Sequence, residues 1–511
     1  MLIPSFTTVI LSIVVLAIVR LLVKFLIRPA LLVRSFRNYK NVLLRYTPIL
    51  AFLPEMEKNL NDHNDIHHSS IQRLRENPDL RFSVWMYFDK AYVFFYDPEL
   101  IKEVLSKQTK MAAKDPRIFG ALNSMMRNGL VYIEGEKWKT QRKLVSQVFH
   151  FDYMNLFIPT INQICEEWIK ENLDKPVSNV HLHHQFKKYT SGIVWRMFFG
   201  DEGFSNKEDG DKMLHLVMKN STEVMEACFS PYNLFIGPKF LNLGLRAADR
   251  QRLRETEFLQ DFVKTKLNFY KERLEKEKAS GISSGRPKNL IELLLEDSSK
   301  KQDNDEKLSD FDIMAQIFTF VLAGTDTTSN LLIMANYLLA QYPKVQDKLR
   351  EEVKSFNGEI TYEMLSKMEY LNAVIKETLR LYGPADGIFP RVATEDVTIG
   401  DVPIKKGFGI SCGFREIHSS PKYFSNPDAF RPERWIEKQD MGVKDPFLFL
   451  PFSAGGRRCI GEQLAYIEAK IMLYHLVRKA KIEIQKPYNL RLGWGLVYES
   501  KDPMTAIYTL I

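Results

Sequence analysis

The stretch FSAGGRRCIGEQLAYIEAKIML, residues 452–473, holds one of the 4 cysteines in a chain of 511 residues. Cys459 follows Arg457 and Arg458 and lies among Gly455, Gly456 and Gly461. A lone cysteine is ordinarily a small buried hydrophobe. Here the neighbours point to another use. Cationic side chains and free backbone amides lower a thiol's pKa and favour the thiolate, the form that ligates metals. The glycines free the backbone to wrap closely. Leu464, Ile467, Ile471, Leu473 and Leu476 approximate one apolar helix face, so the loop opens into a helix N-terminus. The dipole of such a helix favours an anionic sulfur. The pattern predicts a metal-ligating cysteine.

Composition is that of a large globular protein, 45% hydrophobic and 26% charged, with material for a sizeable core. The 71 basic and 63 acidic residues leave a net charge of +8, but they are interleaved. Without a long basic block or a recognition motif, nucleic acid is excluded as an expected partner. Cys165, Cys228, Cys412 and Cys459 are far apart and form no CxxC pair. That argues against a zinc site or a disulfide framework and for a reducing compartment.

The first 19 residues, MLIPSFTTVILSIVVLAIV, carry no charged side chain. At ~1.5 Å per helical residue they reach about 28 Å, close to the hydrocarbon thickness of a bilayer. Arg20, Lys24, Arg28, Arg34, Arg37, Lys40 and Arg45 follow before the first acid, Glu55. Positive charge after a span keeps the following chain on the cytoplasmic side. The expectation is a transmembrane anchor at 1–27, a basic linker at 28–54 and one domain at 55–511. A mitochondrial presequence is the alternative, although such segments are Arg-rich and amphipathic from the start.

After the anchor the pattern is mainly helical. Long helices are predicted at 246–278 and 311–342, the second stopping before Pro343. Gly/Ser/Pro-rich ASGISSGRPKN follows the first, and EDSSKKQDNDEKLSD, residues 296–310, reads as a solvated connection. Strand-like runs occur at 80–97, at 395–407 and in the last thirty or so residues. The predicted fold class is mainly α with small β-sheets.

F452-S-A-G455-G-R457-R-C459-I-G461 matches the pattern FxxGxRxCxG at every fixed position. That pattern is the haem-binding signature of the cytochrome P450 family, which the chain resembles over roughly residues 50–505. The family's cysteine binds haem iron as a thiolate. The resemblance implies haem b (iron protoporphyrin IX) as cofactor, Cys459 as its iron ligand and Arg457 on a haem propionate, with Phe452 and Gly461 against the cofactor. Within the second long helix, A323-G324-T325-D326-T327-T328 resembles the oxygen-binding motif AGxDTT. By that likeness Ala323 lines the haem, and Asp326 and Thr327 are catalytic, relaying protons to bound O2. Gly324 weakens a helix by ~1 kcal/mol relative to Ala, so something is expected to approach it closely. A buried helix with hydroxyls bonded to backbone carbonyls is the plainer reading of the threonines.

Three further motifs resemble the family's. Glu377 and Arg380 in KETLRLYG form an ExxR pair, and FRPERW supplies Arg434 where the family has a PERF-type segment. The resemblance makes these three structural, although Trp435 replaces the usual Phe. W138-K-T-Q-R142 matches WxxxR, placing Trp138 and Arg142 on a propionate, and Arg391 in GIFPRVATED takes the place of a further propionate-binding arginine. One departure is the missing Pro-rich hinge after the anchor.

The likeness implies a monooxygenase of the endoplasmic reticulum membrane, single-pass, with a cytosolic catalytic domain. It takes O2 and a lipophilic substrate (fatty acid, sterol or xenobiotic). Electrons are expected from a separate NADPH-dependent flavoprotein reductase, since the chain has no flavin or nicotinamide segment. By position the pocket draws on Ile118, Phe119, Leu122, Phe318, Val321, Leu322, Ala323, Ile388 and Phe389, each of which could also be plain core. Asp386 caps a turn or meets a polar substrate group. Aromatic-rich 228–243 is a candidate membrane access route. Lys137, Lys139, Lys143 and Arg458 form a candidate docking face for the reductase. A haem-thiolate isomerase or lyase acting on peroxides, and a non-catalytic haem sensor, are the competing readings.

Overall fold

The computed structural model describes residues 6–39, 42–45, 53–87, 90–116, 120, 129–149, 151–200, 213, 215–216, 219, 223, 243–281, 288–300, 308–495 and 497–511. These residues are mostly helical, with four small sheets. The helices used below are α1 (Phe6–Leu22), α2 (Arg28–Arg34), α3 (His68–Glu76), α4 (Gly135–Val148), α5 (Phe151–Asn172) and α6 (Leu182–Phe199). They continue with α7 (Ala247–Ser280), α8 (Asp310–Gln341), α9 (Glu369–Tyr382), α10 (Phe414–His418) and α11 (Glu462–Lys479).

Helix α8 is the spine. Ser309 and Asp312 form a reciprocal capping box at its start, and it ends just before Pro343. It is apolar enough to cross a membrane, yet 83% of its apolar window is buried inside the protein. A helix apolar on all sides belongs in a core. Packing is so complete that every residue from 315 to 336 is buried except Ala323, Gly324 and Thr327. Helix α6 crosses it closely: a Cβ on Gly324 would lie 2.7 Å from Val194 Cγ2. The close approach that this glycine predicts is therefore made by a neighbouring helix.

The strands are β1 (Val42–Arg45), β2 (Phe82–Tyr87), β3 (Lys90–Phe95), β4 (Ala112–Lys114), β5 (Val177–His181), β6 (Arg391–Ala393) and β7 (Val397–Ile399). The rest are β8 (Val402–Ile404), β9 (Gly409–Cys412), β10 (Ala480–Ile484), β11 (Leu492–Trp494), β12 (Tyr498–Ser500) and β13 (Thr505–Leu510). The main sheet runs β1-β2-β3-β9-β6-β4, with β1–β2 and β3–β9 parallel and its other pairs antiparallel. The predicted strand runs at 80–97 and 395–407 are β2–β3 and β7–β8, and the C-terminal run supplies β11, β12 and β13.

Two connections differ from expectation. Residues 296–300 lie inside the helix Leu290–Lys300, Leu308 is buried and Ser309 caps α8, so 296–310 is not a solvated loop throughout. The missing hinge also has a structural counterpart. Helix α1 passes through a π-helical turn at Val23–Ile27 straight into α2. Phe36 then buries all but 2% of its surface, its ring 6.0 Å from those of Phe82 and Phe408, and β1 pairs with β2. The chain after α2 is fastened to the sheet by an aromatic plug.

Buried charge locks α9 to the chain that follows it. The Glu377 carboxylate accepts from Arg380 Nε and Nη2 (both 2.9 Å), Arg434 Nε (2.8 Å), Arg431 N (3.1 Å) and Trp435 Nε1 (3.0 Å). Trp435, the departure from the family pattern, thus adds a donor. Arg380 also binds the carbonyls of His418 and Pro427, and Arg434 those of Ser425 and Asn426. All three charged side chains are at most 1% exposed. Removing the carboxylate leaves the buried Arg380 guanidinium without an anion, while Arg434 keeps Asp440, and breaking such a pair costs about 3–5 kcal/mol. Glu377→Ala is expected to lower stability by that amount in chemical denaturation followed by circular dichroism; an unchanged midpoint would refute this account.

Candidate active site

The cysteine loop turns back on itself before α11. Ser453 and Gly455 have φ of 60° and 71°, and a Cβ on Gly455 would lie 2.4 Å from the Leu105 carbonyl oxygen. Only glycine fits there. Cys459 N donates to Phe452 O (2.9 Å), and Ala465 N donates to Gly461 O (2.9 Å) to start α11. The Cys459 side chain is exposed, yet surrounding protein dominates its thiol. Burial pushes the pKa up; the Gly461 amide, Arg142 and Arg458 pull it down, and Glu462 pushes it up again. The net lowering expected from the arginines is therefore outweighed. Arg458 is engaged with Glu462 at 2.7 Å, which offsets its charge.

Above this loop the predicted cations come together. Arg457 lies over Trp138, its guanidinium carbon 3.9 Å from the ring centroid, and donates twice to Ile133 O at 3.0 Å. Arg142, one turn after Trp138 on α4, donates to Arg458 O at 2.9 Å. Arg391 Nη1 pairs with Glu134 at 3.1 Å. Two members of this group carry no mark in the sequence. Lys114 on β4 stands opposite Arg391 on β6 in the strand register, and like charges so placed repel. Its ammonium donates to the carbonyls of Val131 and Ile133. Glu134, which binds Arg391 and the Lys114 amide (2.9 Å), is the other.

Electrostatics show the imbalance. Burial, then Arg457 and Arg391, press Lys114 down to about 6. Burial, then Arg391, lower Arg457 to about 9, with Glu134 opposing and Arg142 adding to the effect. Nε of Arg391 and Nε of Arg457 are buried without a hydrogen-bond partner among the described residues. Lys114, Arg391 and Arg457 thus share a single carboxylate, Glu134, and Arg142 adds its charge beside Arg457. Two further carboxylates would satisfy the free donors and balance the charge. A haem presents two propionates beside an iron that accepts a thiolate, so the residues present fit that group.

On α8, Thr327 Oγ1 donates to Ala323 O at 2.6 Å, the back-bond of the plainer reading. Yet Ala323 and Thr327, one turn apart, share with Gly324 the accessible face of this buried helix. Asp326 faces elsewhere. Its carboxylate pairs with Lys187 of α6 at 2.8 Å, and Lys187 also feels Glu499. Burial opposes the Lys187 charge, but Asp326 raises its pKa on balance. Lys187 is a residue that no motif announces.

Of the pocket candidates, Phe318, Val321 and Leu322 are buried in the core cluster with Val194 and Phe198 and are packing residues. Ile388 is buried in the cluster beneath the main sheet, whereas Phe389 is 50% exposed. Ile118, Phe119, Leu122 and 228–242 lie outside the described residues. The Asp386 carbonyl accepts from Phe414 N and Arg415 N at the start of α10, and its carboxylate is bonded to His67 and Trp494.

The chain matches the family model described as Cytochrome P450 over residues 47–502. It is 31% identical over 394 residues to cytochrome P450 3A9 of Rattus norvegicus, covering 75% of each chain. Identity to cytochrome P450 3A6 of Oryctolagus cuniculus is 30% over 428 residues, 81% of each. A putative cytochrome P450 CYP13A3 of Caenorhabditis elegans is 30% identical over 414 residues, 76% of this chain and 78% of that one. The crystal structure of the cytochrome P450DA heme domain shares the fold, with a TM-score of 0.72 at 20% identity over 86% of this chain and 92% of that one. The chain belongs to the cytochrome P450 family and is one of its haem-dependent monooxygenases.

Proposed function

We propose that the protein is a membrane-anchored haem-thiolate monooxygenase that oxidises a lipophilic substrate with electrons from an NADPH-dependent flavoprotein reductase. Residues 1–27 anchor it in the endoplasmic reticulum membrane, 28–54 link, and 55–511 form the cytosolic catalytic domain. The observation that carries this reading is the surplus of cations around Glu134 beside the accessible thiol of Cys459. In this assignment Cys459 ligates the iron of haem b, and Arg142, Arg391, Arg457 and Lys114 hold its carboxylates with Trp138 as a floor. Phe452, Gly461 and Ala323 pack against it. Bound haem supplies the activation of O2 and the insertion of one oxygen atom into substrate.

The chain supplies orientation and protons. Thr327 presents its hydroxyl on the accessible face of α8, where rotation away from Ala323 O makes it a donor. Asp326, behind it, exchanges protons through Lys187 and Glu499. The anchor reading rests on α1, whose apolar side chains stand exposed, Leu11 by 64% and Leu16 by 68%, with cations following. For the reductase face, Lys137 is paired with Asp312, Lys139 with Glu136 and Arg458 with Glu462. Lys143 is exposed and has no ion pair among the described residues, so it is the cation free to meet an acidic partner.

Three outcomes check these assignments. Cys459→Ala, purified after haem supply, is expected to lose the strongly red-shifted Soret band of the reduced, carbon-monoxide-bound form; a normal spectrum would overturn the ligand. Asp326→Asn is expected to keep that spectrum but lower turnover about 100-fold, the scale of a positioned proton transfer; undiminished turnover would remove Asp326 from catalysis. Lys143→Glu is expected to slow reduction by the reductase several-fold at low salt and less at high salt. Reduction rates equal to wild type at every ionic strength would discard the docking site.

A further inference from the structure

A second buried charge cluster lies outside the machinery described so far. His67, in the turn before α3, has its side chain 14% exposed and both ring nitrogens on carboxylates. Nε2 is 2.8 Å from Asp386 Oδ2 and Nδ1 is 3.2 Å from Glu416 Oε1. Only the imidazolium can donate to both. Burial opposes that charge, but the bonds to Asp386 and Glu416 raise the pKa to about 10. Trp494 Nε1 donates to the same Asp386 oxygen, and Ser70 Oγ to the same Glu416 oxygen at 2.7 Å. Asp65 completes the knot, accepting from His67 N (2.9 Å), Tyr498 OH (2.7 Å) and Arg415 Nη2 (3.2 Å).

The two segments joined here each lead to the active site. From Asp386 the chain continues through half-exposed Phe389 to Arg391 in the cation cluster. From Trp494 the hairpin turns to Tyr498, whose carbonyl accepts from Asn330 of α8 (2.9 Å), and to Glu499, which acts on Lys187. Thr327 is less than one turn from Asn330. Tyr498 N also donates to Pro384 O at 3.0 Å. The walls beside Phe389 and beside α8 are thus joined directly by Trp494 and Tyr498, and His67 bonds the same Asp386 oxygen that Trp494 uses.

We infer that His67 is a positioning residue which, by holding against Glu416 the Asp386 oxygen that Trp494 also bonds, sets the spacing between the segment 383–391 and strands β11 and β12 and so the bulk of ligand the haem pocket accepts. This rests on the reading of Cys459 as a haem ligand. The clamp touches neither cofactor nor cysteine loop. Its loss therefore affects large ligands and spares small ones.

The test uses full-length holoenzyme and two iron-binding probes, imidazole and the bulky clotrimazole, titrated by the Soret shift. In His67→Gln, imidazole affinity is expected to stay within about two-fold of wild type. Clotrimazole affinity is expected to change about ten-fold, the size of one charge-assisted hydrogen bond. Asp386→Asn should act alike, and the double variant no more strongly than either single one. Equal clotrimazole affinity, an equal loss for imidazole, or additive effects would overturn the inference. Should His67→Gln yield no holoenzyme, Asp386→Asn and Trp494→Phe decide by the same criteria. Failure of the haem reading looks different: wild type would then show no imidazole shift.

Discussion

Positive charge held out of water with too little negative charge to match it is the constraint around which the active site is arranged. Glu377 and Glu134 make the contrast. Glu377 takes two guanidiniums, a backbone amide and an indole, and its cluster is complete. Glu134 has Lys114, Arg391 and Arg457 acting on it, and two guanidinium Nε atoms there have no hydrogen-bond partner among the described residues. Strand register even sets Lys114 against Arg391. Burying unmatched charge destabilises a fold, so an arrangement of this kind is built for an anion. The first cluster holds the scaffold at its own expense in desolvation; in the proposed assignment the second transfers that demand to the cofactor.

The spine helix obeys the same logic in apolar form. Between residues 315 and 336 its surface is covered by neighbours on every side except at Ala323, Gly324 and Thr327. Two threonines of that segment bond carbonyls one turn back, Thr325 to Val321 and Thr327 to Ala323. Such back-bonding bends a helix slightly. Asp326 is turned from the accessible face and anchored on α6 through Lys187. In the proposed assignment the motif neighbours have separate tasks: one hydroxyl is presented, and one carboxylate is connected to a charged path leading away from it.

How much of this could be read from sequence depended on whether partners were neighbours along the chain. The cysteine loop, the AGTDTT segment, the ExxR pair and WxxxR each lie within one turn or loop, where local spacing is legible. Arg434 and Arg391 were reachable because their own surroundings form motifs. Lys114, Lys187, Glu134 and His67 were not. Lys114 owes its place to a β-register and Lys187 to a helix crossing. His67 owes its place to a knot of three distant segments, and no local period encodes such meetings. The same limit explains Phe318, Val321 and Leu322. Helical spacing marks them as inward, but inward toward a pocket and inward toward α6 look alike until the neighbour is known.

The thiol shows why the cation cluster and the cysteine need each other. Arginines beside Cys459 suggest a sulfur ionised by its own surroundings, yet Arg458 is neutralised by Glu462 and burial raises the thiol's pKa. A metal ion deprotonates a coordinating thiol outright, a far stronger effect than a partly screened arginine. In the proposed assignment Cys459 would hold the iron as its thiolate, and Arg142, Arg391 and Arg457 would hold the cofactor's carboxylates. Each half of the site is poorly balanced alone, the cations lacking anions and the sulfur lacking a cation. A ligand carrying both an electropositive centre and a pair of carboxylates resolves the two imbalances in one binding event, which neither a free metal ion nor a simple dicarboxylate can do.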